Sequence, residues 1–403
     1  MLRLEPNREL SWHAIKYCSV DAATPLLTVT ALSASSAKYL NRNSWEEFIM
    51  TANLNLCTTR MTLLAAGLTV GVITAAAGGS LGGPLELQDE GVFFVNGQAA
   101  ATAFPDSPPT GAAPSGQIMI DQMYVQYRIP KNVSAPPIVM VHGSGHTGVT
   151  YETTPDGREG WATYFARKNF PVYVIDHVGR GRSGFDPTPI NQARRESNPA
   201  LLPSVPLFTR ERAFANFRFG PQYPTRYPGG QFPVEAQDQY YAQLVPNTET
   251  MLAGGGANTV KALGALLDKI GPAIVLVHSQ SGAYGLDLIR RHADKVRAFV
   301  DVEGGCGPLG ADDVSKSFRK VPTLIVFGDY TEGSTGPNND ERRKLCNESV
   351  AAINGAGGTA KFMYLPALGI KGNGHMMMMD KNNLQIADLI IDWLGQSAAV
   401  AKN

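Results

Sequence analysis

The sequence predicts an α/β fold in which a mostly parallel central sheet carries helices on both faces and a cap is inserted over the strand ends. Short apolar runs of strand length recur along the chain, at 137–141, 171–175, 273–277 and 323–327. Longer segments of helical character and glycine-rich turns separate them. A chain of 403 residues is long enough for one such core with insertions.

The strand pattern begins near residues 85–87 and 91–95, and a final helix is expected at about 382–394. A long insertion, 185–245, is rich in proline, arginine and aromatic residues. Placed over the strand ends, it should form a cap whose aromatic side chains line an apolar pocket. The alternative is a surface excursion packed by its own side chains.

Residues 277–283 (Val-His-Ser-Gln-Ser-Gly-Ala) follow an apolar strand and precede a helical segment. A strand, a tight turn and a helix in this order indicate a nucleophile elbow, which needs small residues two positions before and after its serine. Ser281 has Ser279 and Ala283 at those positions. Ser279 would instead place the β-branched Val277 at the crowded point. The sequence therefore predicts Ser281 as nucleophile, and an ordinary serine-rich turn is the alternative.

A catalytic histidine is expected after the serine, because the chain order in such folds is nucleophile, acid, histidine. Two of the seven histidines lie there. His292 is eleven residues along the helix that starts at the elbow. At ~1.5 Å per residue that is about 16 Å, too far for proton transfer. His375 lies in the glycine-rich loop 372–376, and it is predicted as the general base.

The acid should close a strand between these two residues. Glu303 ends one such strand beside two glycines, and Asp329 ends the next. The usual acid slot, three residues after a glycine that ends the later strand, holds Thr331. We therefore predict that Glu303 orients the imidazole, with Asp329 as the alternative. Asp301, two residues earlier on the same strand face, is expected to be structural.

An oxyanion hole is expected where the strand at 137–141 enters the glycine-rich loop 142–148. Backbone N–H groups at this point would stabilise the negative charge of a tetrahedral intermediate. The predicted donors are the N–H groups of Ser144 and of Gly282, the residue after the predicted nucleophile.

A second glycine-rich segment, 179–184, matches the dinucleotide-binding fingerprint. That fingerprint must open a helix, whereas Asp186-Pro187-Thr188-Pro189 follows here, an order expected to oppose a helix start. We therefore expect a loop pinned by Asp176 and Arg180, and no nucleotide cofactor. Histidines and cysteines also lack metal-ligand spacing, so no metal is expected.

Five segments together resemble the secreted bacterial esterases of the Alcaligenes type, a branch of the α/β-hydrolases. They are 151–158 (YETTPDGR), 179–183 (GRGRS), 231–237 (QFPVEAQ), 278–282 (HSQSG) and 374–378 (GHMMM). The resemblance extends from about residue 85 to the end of the chain. It implies the α/β-hydrolase fold, ester hydrolysis and a glutamate acid after the sixth strand, in agreement with Glu303. One departure is Ser144-Gly145, where that family has two adjacent cysteines.

The segment at 61–82, preceded by Arg60, has an apolar core and small residues at its end, which is typical of a secretory signal peptide. Its core is short and rich in alanine and glycine for a membrane span. The favoured interpretation is that translation begins at Met50 or Met61. Residues 1–60 are then spurious or disordered, and 83–403 form the hydrolase domain. An internal anchor is the alternative.

Cysteine positions agree with export. Cys18 and Cys57 precede the proposed cleavage region, which leaves Cys306 and Cys346 as an even pair. A disulfide between them would brace the loop that carries Glu303. Two unpaired thiols are the alternative for a cytoplasmic protein.

The charge balance of the chain excludes two classes of binding partner. The 35 basic and 35 acidic residues balance, so no field recruits nucleic acid or anionic membranes. The sequence predicts a secreted or periplasmic serine hydrolase for a small apolar ester, without stable membrane insertion of the mature form. A lactonase is the alternative of the same chemistry, and a non-catalytic binding protein of this fold is the alternative of another class. The oligomeric state, including a homodimer, stays open.

Overall fold

The computed structural model describes residues 16–19, 28–31, 83–102, 115–251, 254–334 and 340–397. The chain divides into two units, Met1–Ala75 and Ala76–Asn403. In the first unit, strands β1 (Lys16–Ser19) and β2 (Thr28–Ala31) pair antiparallel. The rest of the segment 1–60, and the signal-peptide-like segment 61–82, lie outside the described residues.

The second unit is built on one eight-stranded sheet. Its strands are β3 (Leu87–Thr102), β4 (Gly116–Pro130), β5 (Ile138–Val141), β6 (Val172–Ile175), β7 (Ala273–His278), β8 (Val296–Val302), β9 (Thr323–Phe327) and β10 (Ala360–Tyr364). Their order is β10-β9-β8-β7-β5-β6-β4-β3. Strands β5 to β10 run parallel, and the β3–β4 hairpin joins β6 antiparallel. The predicted mostly parallel sheet is confirmed.

This unit contains ten α-helices among its described residues, and several of them cover the two faces of the sheet. They are α1 (Val149–Glu152), α2 (Trp161–Arg167), α3 (Thr188–Arg195), α4 (Arg210–Asn216), α5 (Gln237–Ala242), α6 (Gly256–Ile270), α7 (Ser281–His292), α8 (Ala311–Lys316), α9 (Asp340–Gly355) and α10 (Asn383–Gln396). Within β5, Ile138 and Met140 pack in the same cluster as α2 and α10. Val139 and Val141 pack with α6 and α7.

The parallel strands are apolar at nearly every position because helices cover both of their faces. Strands β5, β7 and β9 are buried throughout. At the hairpin edge of the sheet, burial alternates with exposure along β3, and Val92 and Phe94 are among the exposed residues. The carboxyl ends of the parallel strands meet at one edge, where ligands bind in open α/β sheets.

The insertion 185–245 contains α3, α4 and α5, with 3-10 turns at Pro199–Leu201 and Val234–Ala236. Its buried aromatic side chains pack largely on one another. Phe219 stacks on Phe232 with ring centroids 3.6 Å apart, and both contact Tyr240. This segment, called the cap below, adds these rings to the buried cluster that also contains Ile138 and Met140 of the sheet.

The segment 179–184 forms a 3-10 turn at Gly181–Ser183. Asp176 pins it, because its carboxylate accepts the backbone N–H of Gly148 and of Arg182 at 2.7 and 2.8 Å. The expectation that the following prolines oppose a helix is wrong, since α3 starts at Thr188 directly after Pro187. Proline is tolerated in a first turn, where its missing N–H has no partner to lose.

Cys306 and Cys346 form a disulfide, which links the loop after β8 to α9. The predicted pairing is confirmed. Among the described residues, no helix combines the length and the apolar character that crossing a membrane requires.

Candidate active site

The turn between β7 and α7 consists of Ser279 and Gln280. Ser279 has φ 57°, in the left-handed region that residues with a side chain rarely adopt. Its N–H donates to Val302 over 3.2 Å, and its carbonyl accepts the N–H groups of Gly282 and Gly305 at 3.0 Å each. Such strain persists only where surrounding contacts hold it, and it is concentrated at functional sites. The sharp point of the elbow is therefore Ser279.

The structure does not bring Ser281 to His375. Ser281 is fully buried, and its hydroxyl donates to the carbonyl of His142 over 2.5 Å. The same oxygen accepts from Nε2 of His177 over 2.8 Å, as the hydrogen-bond network assigns the proton. An enclosed and fully bonded hydroxyl has no access to substrate. Ser281 thus does not lie where the predicted nucleophile must, and the partly exposed serine of the turn is Ser279.

Val277 was expected to leave no room for a turn centred on Ser279. In the structure the space around its side chain is provided by Gly285 on α7. A Cβ at Gly285 would lie 3.2 Å from Cγ1 of Val277 and 2.3 Å from the ring of Phe299. The helix therefore supplies the small residue one turn later than the motif rule requires.

His375 and Glu303 meet at the edge of the sheet. Nδ1 of His375 donates to Oε2 of Glu303 over 2.7 Å, and both side chains are fully buried. Glu303 follows β8, the sixth strand of the large sheet. Pairing of His278 with Val302 places the next residues, Ser279 and Glu303, beside each other. Because Nδ1 carries the proton in this contact, Nε2 is the unprotonated nitrogen of the imidazole.

Charge around this pair favours a neutral imidazole beside an ionised carboxylate. Burial acts to raise the pKa of Glu303, but Arg218 and His375 outweigh it and hold that pKa below its ordinary value. Burial lowers the pKa of His375, despite the opposing hydrogen bond to Glu303. The Glu303 oxygen Oε1 accepts from Arg218 and from the N–H of Gly328. A neutral base oriented by a carboxylate is the state that proton abstraction requires.

The two other acids considered from the sequence have different neighbours. The carboxylate of Asp329 accepts the N–H groups of Tyr330 and Gly372 at 2.8 and 3.0 Å, so it holds the backbone of the histidine loop. Asp301 is fully buried, and burial raises its pKa to about 7. A Cβ at Gly304 would overlap Asp301, so that carboxyl packs directly against the backbone after β8.

The N–H of Gly282, one of the two predicted oxyanion donors, donates instead to the carbonyl of Ser279. With Ser279 as nucleophile, the amide that follows it belongs to Gln280. The loop of Ser144 comes close to the elbow because Gly143 has no side chain; a Cβ there would lie 2.8 Å from Cβ of Ser279. The N–H groups of Ser144 and Gln280 do not take part in the backbone hydrogen bonds of the described loops. Both can therefore bind a substrate oxygen.

Arg180 connects the loops around the site. It is fully buried, forms an ion pair with Glu249, and donates to the carbonyl of Gly143 over 2.8 Å. It also donates to the side-chain oxygen of Gln280 over 3.0 Å. The pinning role predicted for Arg180 thus extends beyond its own loop. It reaches the elbow and the loop 142–148, which is called the oxyanion loop below after its proposed role.

Asn247 and His146, which sequence reasoning missed, fix the oxyanion loop from the other side. Asn247 accepts the N–H of Gly145 over 2.7 Å and donates to Oγ of Ser144 over 2.8 Å. Nδ1 of His146 donates to the carbonyl of Ser144 over 2.7 Å, and its Nε2 accepts from the hydroxyl of Tyr240. Asn247 lies outside any motif, so nothing local in the sequence marks it.

Two phenylalanines place apolar rings against the residues of the site. The ring of Phe217 stacks on the His375 ring with centroids 5.5 Å apart and planes 7° apart. Phe208 lies against the oxyanion loop, where a Cβ at Gly145 would be 2.6 Å from its ring. Both come from the cap, which therefore contributes directly to the surroundings of the base and of the oxyanion loop.

No protein-family model matches the chain. It is 32% identical over 328 residues to a probable secreted lipase of a fungus, Fungal sp. (strain ATCC 74256), across 68% of this chain and 85% of that protein. A solved structure of a novel bacterial esterase is 42% identical, with a TM-score of 0.74, across 78% of this chain and 98% of the esterase. The chain therefore belongs to the esterase and lipase family of the α/β-hydrolases and is a carboxylesterase-type hydrolase.

Proposed function

We propose that the protein hydrolyses carboxylic esters through an acyl-serine intermediate on Ser279. His375 takes the hydroxyl proton as the Ser279 oxygen attacks the ester carbonyl. Glu303 orients the imidazole and stabilises its charged form. The N–H groups of Ser144 and Gln280 hold the oxyanion until it collapses and the C–O bond to the alcohol breaks. The observation that carries this proposal is the strained elbow at Ser279 beside the 2.7 Å His375–Glu303 pair.

The second half of the reaction reverses the proton's path. The imidazolium of His375 gives its proton to the departing alcohol, and the neutral base then deprotonates a water that attacks the acyl group on Ser279. The acid is released and the serine regains its proton. The lowered pKa of His375 keeps the base neutral between turnovers at neutral pH.

We propose a small apolar ester as the substrate. Phe217 and Phe208 place apolar surface beside the base and beside the oxyanion loop, where the groups flanking a bound ester would lie. The resemblance of five segments to the Alcaligenes-type esterases supports the same substrate class. Aromatic walls with a few polar groups are typical of sites for apolar ligands.

We propose that the protein is exported from the cytoplasm. Three observations support this proposal: the signal-peptide-like segment 61–82, the Cys306–Cys346 disulfide, and the 32% sequence identity to a probable secreted lipase. Intact-mass analysis of exported protein tests it. A mature chain that begins near Gly83 is expected, and one that retains residues 1–60 would contradict the signal-peptide interpretation.

Rapid-mixing kinetics test the proposed chemistry. With p-nitrophenyl esters of increasing acyl length, we expect a burst of p-nitrophenol equal to the enzyme concentration, followed by slower turnover. An aryl lactone in the same series identifies a lactonase if it alone is opened. Absence of turnover with every substrate, together with no reaction with a fluorophosphonate, would indicate a binding protein of this fold.

A further inference from the structure

The cap contributes a buried arginine to the predicted acid. Arg218 follows α4 by two residues, exposes 2% of its surface and has φ 58°, in the left-handed region. Its Nη2 donates to Oε1 of Glu303, and its Nε donates to the carbonyl of Asp329 over 2.9 Å. The planar guanidinium therefore bridges the ends of two neighbouring strands.

The preceding residue holds the base. The carbonyl of Phe217 accepts the backbone N–H of His375 over 3.0 Å, and its ring stacks on the imidazole. The next residue, Phe219, stacks on Phe232 inside the cap. Consecutive residues thus connect the aromatic side chains of the cap to the base and to the acid.

We propose that Arg218 is a positioning residue, which directs the Glu303 carboxylate toward His375 only while the cap is seated on the sheet. This inference rests on the proposed triad of Ser279, His375 and Glu303. It gives the cap a role in assembling the catalytic pair, in addition to any role in binding substrate.

The hydrogen bonds explain how Arg218 would act. Oε1 of Glu303 accepts from Arg218 and from the N–H of Gly328, which leaves Oε2 for His375. Without the guanidinium, a buried carboxylate would lose the cation that contacts it, and leaving one member of such a pair uncompensated is strongly unfavourable. The carboxylate would then take up a proton more readily or turn away from the imidazole.

Other ionisable groups surround this pair and are present in every variant below. His278 and His146 influence His375, Arg342 acts on His375 and on Asp301, and Asp380 lies within reach of Glu303. Arg218 acts to lower the pKa of Glu303 and of His375 together. Its removal should therefore favour the protonated pair and move the acid limb of kcat/KM to higher pH.

Two substitutions separate charge from geometry. Arg218→Met removes the cation, and we expect the acid limb to rise by about one pH unit, the shift that loss of one close charge produces. Arg218→Lys keeps the charge but cannot reproduce the forked contact, so we expect an unmoved limb and roughly tenfold slower turnover. Arg210→Met is the matched control, since Arg210 is a half-exposed cap arginine paired with Asp238.

The test is the pH profile of kcat/KM and of fluorophosphonate inactivation for these three variants and the wild type. The inference would be overturned if Arg218→Met kept the wild-type reaction rate and if the acid limb of its pH profile lay at the wild-type pH. If that variant does not fold, Arg218→Lys decides: a wild-type rate, or a raised limb, contradicts the positioning role. Failure of the proposed function is distinguishable, because the wild type itself would then not be labelled at Ser279.

Discussion

Nδ1 of His375 lies 2.7 Å from Oε2 of Glu303, and neither side chain is exposed to solvent. The contact joins two segments 72 residues apart in the chain. It fixes the imidazole tautomer, because the nitrogen that faces a carboxylate carries the proton. The other nitrogen is then free of its proton and can act as a base at neutral pH.

Replacing the acid should therefore slow catalysis by orders of magnitude. Glu303→Gln keeps the shape but removes the charge that stabilises the imidazolium, and we expect kcat to fall by about 10⁴. Asp329→Asn is the matched control and should have a modest effect, because Asp329 bonds the backbone of Tyr330 and Gly372. Steady-state hydrolysis of p-nitrophenyl acetate by both variants measures this. The opposite ranking would move the acid to the later strand.

Asn247 should matter for rate more than for substrate binding. Asn247→Ala removes both contacts that fix the oxyanion loop, at Gly145 and Ser144, and we expect kcat to fall roughly tenfold with little change in KM. Asn247→Asp retains the oxygen that accepts the N–H of Gly145, so its kcat should fall less. A rise in KM with unchanged kcat in the alanine variant would place Asn247 in substrate binding instead.

The disulfide closes a segment of 40 residues between Cys306 and Cys346. Restriction of the unfolded chain by a loop of that length stabilises a protein by about 4 kcal/mol. We expect the double Cys→Ser variant to lose most of this free energy of unfolding in urea titrations. Dithiothreitol should lower the stability of the wild type and leave the double variant unchanged. Equal stability of the two proteins without reductant would contradict this role.

Stability should fall in mild acid. Burial lowers the pKa of five histidines, two of them to about 3: His142, His146, His177, His278 and His375. The unfolded chain protonates them near pH 6.5, so their contribution is complete above that pH and is lost as the pH falls toward the folded-state values. Two buried carboxyls, Asp301 and Asp380, have a pKa raised to about 7 and act in the opposite direction.

Because these histidines outnumber the two carboxyls, unfolding should take up protons on balance near pH 5, and each proton is worth about 1.4 kcal/mol per pH unit. Urea titrations at pH 7, 6 and 5 measure the slope. His146→Gln should reduce this slope by the contribution of about one proton. The amide of glutamine can replace a neutral imidazole but does not titrate. A free energy of unfolding that stays constant between pH 7 and 5 would contradict the buried neutral histidines.

The fold and the contact between His375 and Glu303 were accessible from the sequence because both depend on local patterns. Apolar runs identify the parallel strands, and Glu303 and His375 each end or follow such a run. The disulfide followed from counting cysteines. These inferences need no knowledge of how distant segments pack.

The sharp point of the elbow lies at Ser279 and not at Ser281, and the motif rule missed this because it considers only the immediate neighbours of the serine. Room for Val277 comes from Gly285, which lies on the following helix and packs against Phe299. The same limitation hid Arg218 and Asn247. Each contacts a residue that lies more than 80 positions away in the sequence. Each also lies in an irregular segment that has no repeating pattern.

Peptide mapping after reaction with a fluorophosphonate tests the central claim most directly. We predict that tandem mass spectrometry places the label on Ser279 and not on Ser281, within the peptide that contains both. Ser279→Ala should not be labelled and should not hydrolyse esters, whereas Ser281→Ala should retain labelling, because Ser281 is bonded to His142 and His177. A label on Ser281, or an active Ser279→Ala variant, would contradict the account.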